Sequence, residues 1–140
     1  MNFRGELGYS FDLSDDWTMD ATLKEKVGEI CLDAFKNVIN QASMLIFVDS
    51  LNNLDAFQLV FEQKRRDICK SSQIFEENCD FEKKIAVIKS RNDNEDKFII
   101  YCFFEIAKNI FGHIVLEVRE LDDADILTTV LESWSKGGGV

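Results

Sequence analysis

Residues 83–119 read KKIAVIKSRNDNEDKFIIYCFFEIAKNIFGHIVLEVR. Three apolar runs, 84–89, 98–106 and 110–119, are separated by the polar loop 91–96 and by Lys108-Asn109. Ile, Val, Phe and Tyr dominate the runs, the composition of a pleated, buried backbone. Connections this short join only antiparallel neighbours, because a parallel return needs a crossover of about a dozen residues. The stretch therefore predicts a three-strand meander.

On the N-terminal side, Met44, Leu45, Ile46, Phe47 and Val48 form a short apolar run bounded by polar residues, a strand buried on both faces. Leu54, Phe57, Phe61, Ile68, Ser72, Phe75 and Cys79 recur at helical spacing, so residues 54–80 read mostly as helix, with a strand at 56–61 as the alternative. At the start of the chain Phe3, Gly5, Leu7, Tyr9, Phe11 and Leu13 hold the odd positions, the period of one half-buried strand. Leu23, Val27, Ile30, Ala34 and Val38, widened by Cys31 and Phe35, predict an amphipathic helix of about five turns. Thr22 with Glu25 reads as its capping box, and Asp20 adds negative charge at the positive end of the dipole. After the meander, residues 122–125 cap a helix carrying Ile126, Leu127, Val130, Leu131 and Trp134, which Gly137, Gly138 and Gly139 end. The expected fold is α+β: an antiparallel sheet of about four to five strands, including the C-terminal three-strand meander, packed against two or three helices. It forms one domain, 1–140, with a frayed tail at 137–140.

Composition narrows the function. Of 140 residues 46% are hydrophobic and none is proline, enough to build a core without disulfides or metal. Lys plus Arg is 16 and Asp plus Glu is 26, a net charge of -10 that opposes attraction to nucleic acid or to an anionic membrane. The longest apolar run, 98–104, is far below the roughly 20 residues of a membrane-spanning helix. Arg4 and Glu6 break any export signal at the N-terminus. Cys31, Cys69, Cys79 and Cys102 show no C-x-x-C spacing and share one histidine, so reduced thiols in a cytoplasmic protein without a metal or other cofactor are expected.

Catalytic motifs are absent: no phosphate-binding glycine loop, no nucleophile elbow and no zinc pair is present. His113 is the one candidate general base, and Cys102 its nearest thiol, but a strand histidine beside a buried cysteine is more often structural. The acidic loop 93–96 lacks the glycine and the late glutamate of a calcium loop. Lys64, Arg65, Arg66 and Lys70 are answered by Glu62 and Asp67 at helical spacing, an ion-paired face rather than a phosphate grip.

The charge distribution carries more. Residues 1–20 hold five acids and one base, residues 109–140 six acids and two bases, and the middle is nearly balanced. If the two ends lie together, Asp12, Asp15, Asp16, Asp20, Glu120, Asp122, Asp123 and Asp125 make an acidic surface with Trp17 and Trp134 as its anchors. The expectation is a small acidic inhibitor domain that masks a basic protein partner, in the manner of an immunity protein or antitoxin against a nuclease or toxin, with no direct contact to nucleic acid or membrane. The alternatives are an adaptor or self-associating scaffold that uses a sheet edge or the aromatics of 98–111, giving a homo-oligomer, and a small-ligand binder or enzyme using His113.

Overall fold

The computed structural model describes residues 2–28, 30–51, 57–92 and 94–137. The decisive stretch folds as the meander its short connections require: β7 (Ile85–Asn92), β8 (Lys97–Ala107) and β9 (Ile110–Val118) are antiparallel neighbours. β9 then pairs with β5 (Ser43–Leu51), setting Met44 opposite Leu116 and Phe47 opposite His113. β4 (Cys31–Asn37) and β3 (Trp17–Met19) extend the sheet beyond β5, and β6 (Gln73–Asp80) extends it beyond β7. The result is a seven-stranded sheet in the order β3-β4-β5-β9-β8-β7-β6, every pairing antiparallel. The chain leaves β5, third in this order, passes through α2 (Phe57–Cys69) to the far edge, and returns strand by strand until β9, the central strand, meets β5. The three tight turns of this return place Lys84, Asp96 and Asn109 at positive φ, as the β4–β5 turn does Gln41.

Both faces of the sheet are covered. On one, a hairpin of β1 (Asn2–Arg4) and β2 (Ser10–Asp12), a 3-10 turn (Leu121–Asp125) and α3 (Ile126–Glu132) lie over Phe35, Met44, Ile46, Ile100, Ile114 and Leu116. On the other, Phe57, Phe61 and Ile68 of α2 pack on Ala86, Ile88, Phe103 and Phe111, and Leu23 and Val27 of α1 (Ala21–Val27) pack on Cys31, Ala34 and Phe47. None of the helices among the described residues is long and apolar enough to cross a membrane.

The α+β class and the meander are as expected; the sheet is larger, for identifiable reasons. The strand expected from Phe3 to Leu13 is a hairpin turned by Gly5 to Gly8, with Gly8 at φ 93. Its period of two survives because Phe3 pairs with Phe11, and directly opposed residues share a face; both rings meet Phe35. The five-turn helix expected from Leu23 to Val38 stops at Val27, where Gly28 (φ 111) ends it, and Asp20, not Thr22, caps it by accepting the N–H of Leu23. The remainder is β4, apolar on both faces, so its residues fell on helical spacing without forming a helix. The helix expected over 54–80 is α2 only to Cys69; Ser71 and Ser72 donate to the Ile68 carbonyl in a closing turn, and β6 follows. Residues 54–56 lie outside the described residues, and 57–61 are helical, not strand. The C-terminal helix begins as a 3-10 turn without a side-chain cap from Asp125, and it ends at Glu132, before the glycines. Of the expected tail, 138–140 lie outside the described residues, as does Asp93 of the acidic loop.

Two features of this core invite measurement. A Cβ on Gly112 would collide with the Phe47 carbonyl and lie 2.7 Å from Ile106 Cδ1, so glycine permits the close approach of β9 to β5. Gly112→Ala is expected to cost about 2 kcal/mol in urea unfolding, and a change near zero would contradict this. The second is the buried pair in which the Tyr9 hydroxyl donates to Asp33. Burial raises the Asp33 carboxyl above its ordinary range, and burial together with Asp33 raises the Tyr9 phenol. As pH climbs through the ordinary carboxylate range, the unfolded chain loses the Asp33 proton while the folded one keeps it, so stability falls until the raised value is passed. Asp33→Asn should remove that part of the slope in urea midpoints measured across the acid range; an unchanged slope would assign it to other groups.

Candidate functional site: an acidic cleft

A cleft of about 770 Å³ opens between the β6–β7 end of the sheet and the segment 121–131. Its floor is apolar, with Ile85, Val87, Ile100 and Leu127 among the lining. Its rim is charged by Glu76, Glu77, Asp80, Asp122 and Asp125 against Lys83 and Lys89.

Local structure explains who reaches it. A bulge between Ile74 and Glu76 resets the phase of β6, and the period of two then alternates Glu76, Asn78 and Asp80 with Glu77 and Cys79. Glu77 is held from α2, where Arg65 Nε donates to both its carboxylate oxygens at 3.0 Å, and Cys79 packs with the α2 core. Asp122 and Asp125 are three apart in a 3-10 turn, where residues i and i+3 eclipse, so both carboxylates line the cleft. Glu76 is partly neutralised by Lys89, whose Nζ lies 2.7 Å from Oε2. Asp80 Oδ1 accepts the backbone N–H groups of Glu82 and Lys83. Among the described residues, Asp122 and Asp125 form no ion pair.

The other residues singled out in the sequence fall as follows. The chain's ends lie side by side: Ser10 and Ser135 exchange backbone hydrogen bonds at 2.8 Å, and Asp12 N–H donates to Ser133 Oγ at 2.8 Å. The side chain of Asp12 accepts from Asn2, the Asp16 carbonyl accepts from Val38, and Asp20 is spent on capping α1. Asp15 is an exposed turn residue beside Asp16, Glu120 is exposed ahead of the 3-10 turn, and Asp123 is half-buried within it. None of Asp12, Asp15, Asp16, Asp20, Glu120 and Asp123 lines the cleft. Glu76 and Asp80, which no sequence pattern marks, lie in β6, where the spacing predicts helix.

Trp17 belongs to the core, and Trp134 is partly buried against it. Trp17 is 3% exposed. Trp134 stacks on Phe11 with ring centroids 4.9 Å apart, meets Phe104 edge-on at 4.9 Å, and donates its Nε1–H to the Ile106 carbonyl at 2.9 Å. Cys102 faces the hairpin side of the sheet and His113 the α2 side, so they form no catalytic pair; burial pushes the Cys102 thiol up to about 12.

Trp134→Ala should therefore cost about 3 kcal/mol or more in urea unfolding, as the loss of a packed aromatic does. A cost well below 1 kcal/mol would return this indole to the surface. By sequence, the chain matches no protein-family model and no curated protein.

Proposed function

We propose that the protein is a protein-binding domain of the inhibitor kind, which takes a basic segment of its partner into the cleft between β6–β7 and α3. The partner's segment is of the type with which a nuclease or toxin holds nucleic acid, and occupying it masks that activity in the cytoplasm. The observation that carries this reading is the pair Asp122 and Asp125: two carboxylates without ion partners among the described residues, set on a rim with Glu76 and Asp80 over an apolar floor. A cleft rim on which five carboxylates outnumber two lysines concentrates negative field, and the chain's net charge of -10 speeds the encounter from a distance. Lys and Arg side chains fit such a site in two parts, stems on Ile85 and Val87 and heads on the rim.

A self-associating scaffold is the weaker reading. β6 is an edge strand of eight residues with Phe75 exposed, which favours strand pairing. Its bulge and the adjacent Glu76 and Glu77 oppose pairing with a second, equally acidic copy.

The test is titration of a fluorescent oligo-arginine peptide. Asp122→Asn with Asp125→Asn should weaken binding about tenfold, close to 1.4 kcal/mol, and added salt should weaken it further. Asp12→Asn with Asp16→Asn removes the same net charge away from the cleft and should have a small effect. Equal losses for the two pairs, or binding indifferent to salt, would remove the cleft as the site.

A further inference from the structure

On the α2 side of the sheet a second constellation surrounds the chain's single histidine. The His113 side chain is 8% exposed and its ring lies between Phe47, 4.9 Å away by centroid, and Phe103, 5.1 Å away. Its Nδ1 is 2.6 Å from Asp49 Oδ2, and the Asp49 side chain is 4% exposed. The other carboxylate oxygen, Oδ1, lies 3.6 Å from Lys64 Nζ, reaching in from α2. A carboxylate only accepts, so Nδ1 carries the proton and Nε2 is left as an acceptor. No described protein group hydrogen-bonds Nε2, and among the described residues no buried polar side-chain atom is without a partner. His113 lines a cavity of about 210 Å³ together with Lys64, Asp67, Ile68, Ser71, Tyr101 and Phe103, which gives Nε2 a place to meet a ligand. Burial and Glu117 raise the Tyr101 phenol, so it stays uncharged in this wall.

We propose that this cavity is a ligand site for a small neutral hydroxyl compound with a flat apolar body, a phenol in its simplest form, whose O–H donates to Nε2 of His113. The rings of Tyr101 and Phe103, with Ile68, take the flat body. Neutrality follows from the charges present: Asp49 and Lys64 already answer each other, Asp67 on the same lining is paired with Lys70, and the field of a chain at -10 resists an added anion. The site also has the parts for proton transfer. The ligand O–H bond breaks, an N–H bond forms at Nε2, the electron pair stays on the ligand oxygen beside Lys64, and Asp49 faces the imidazolium. This site is separate from the acidic cleft and does not depend on the function assigned there.

The experiment uses 4-nitrophenol in a buffer below the probe's own solution pKa. Saturable binding with growth of the phenolate absorbance band is expected, and the Nε2 nitrogen resonance of the one histidine should move while Nδ1 stays protonated. 4-Nitroanisole has the same ring without the donor and should bind about tenfold more weakly. Asp49→Asn should retain binding but lower the phenolate fraction about tenfold, because an amide neither fixes the tautomer nor faces the imidazolium with charge. Lys64→Met, at a half-exposed helix position, should lower the phenolate fraction with the Asp49–His113 pair intact. The proposal fails if 4-nitrophenol shows no saturable binding to the unmodified protein, if the anisole binds equally well, or if Nε2 does not respond. Those three readings need no variant and stand even where Asp49→Asn does not fold.

Discussion

The seam between β5 and β9 joins two parts of the chain that have little else in common. On one side are β3 and β4 with α1 packed over them; on the other is the four-strand return from β6 to β9. The register that sets Ile46 against Ile114 and Met44 against Leu116 puts these side chains, all fully buried, in one layer beneath the N-terminal hairpin. Gly112 lets the backbones close at Val48 without a Cβ under the Phe47 carbonyl. The same register brings His113 opposite Phe47 and within reach of Asp49, sixty-four positions earlier in the chain. It also fixes where β9 ends, and so where the 3-10 turn and α3 cross back over β8 and β7 to form one wall of the cleft.

What could be read from the sequence was local. The meander of residues 83–119 was legible because each strand is a long apolar run and each connection is too short for any other path. β4 and β6 were not, for opposite reasons. β4 is buried on both faces, so Cys31, Ala34 and Phe35 follow no period of two and fit a helical stripe equally well. β6 is an edge strand with little to bury; of its few apolar residues, Phe75 and Cys79 continue the spacing of α2 by coincidence. In both places tertiary position overrode pattern, and Gly28 and the Ser71-Ser72 pair mark the change locally.

The candidate site divides in the same way. Asp122 and Asp125 were readable as an acidic helix entry, and the 3-10 geometry that aligns them adds only direction. Glu76 and Asp80 were hidden with the strand that carries them. The charge asymmetry of the two ends was visible, yet it did not tell capping from solvation: Asp20 serves α1, while Asp122 and Asp125 face open space. The two tryptophans were equally ambiguous, since a ring that stacks on Phe11 and one that anchors a partner are the same letter in a sequence. His113 stands out by its chemistry alone; its partner Asp49 has no sequence signal, because the contact is made across the seam.

Charge and shape therefore meet at one end of the molecule, where an apolar floor ends in a rim of carboxylates. The most direct measurement of this account is amide hydrogen exchange on the protein with and without a saturating oligo-arginine peptide. New protection is expected at 76–80, 85–89 and 121–131, with residues 10–20 unchanged. Protection spread over 10–20 with none at 121–131 would contradict it and move the binding surface to the opposite end of the acidic sequence.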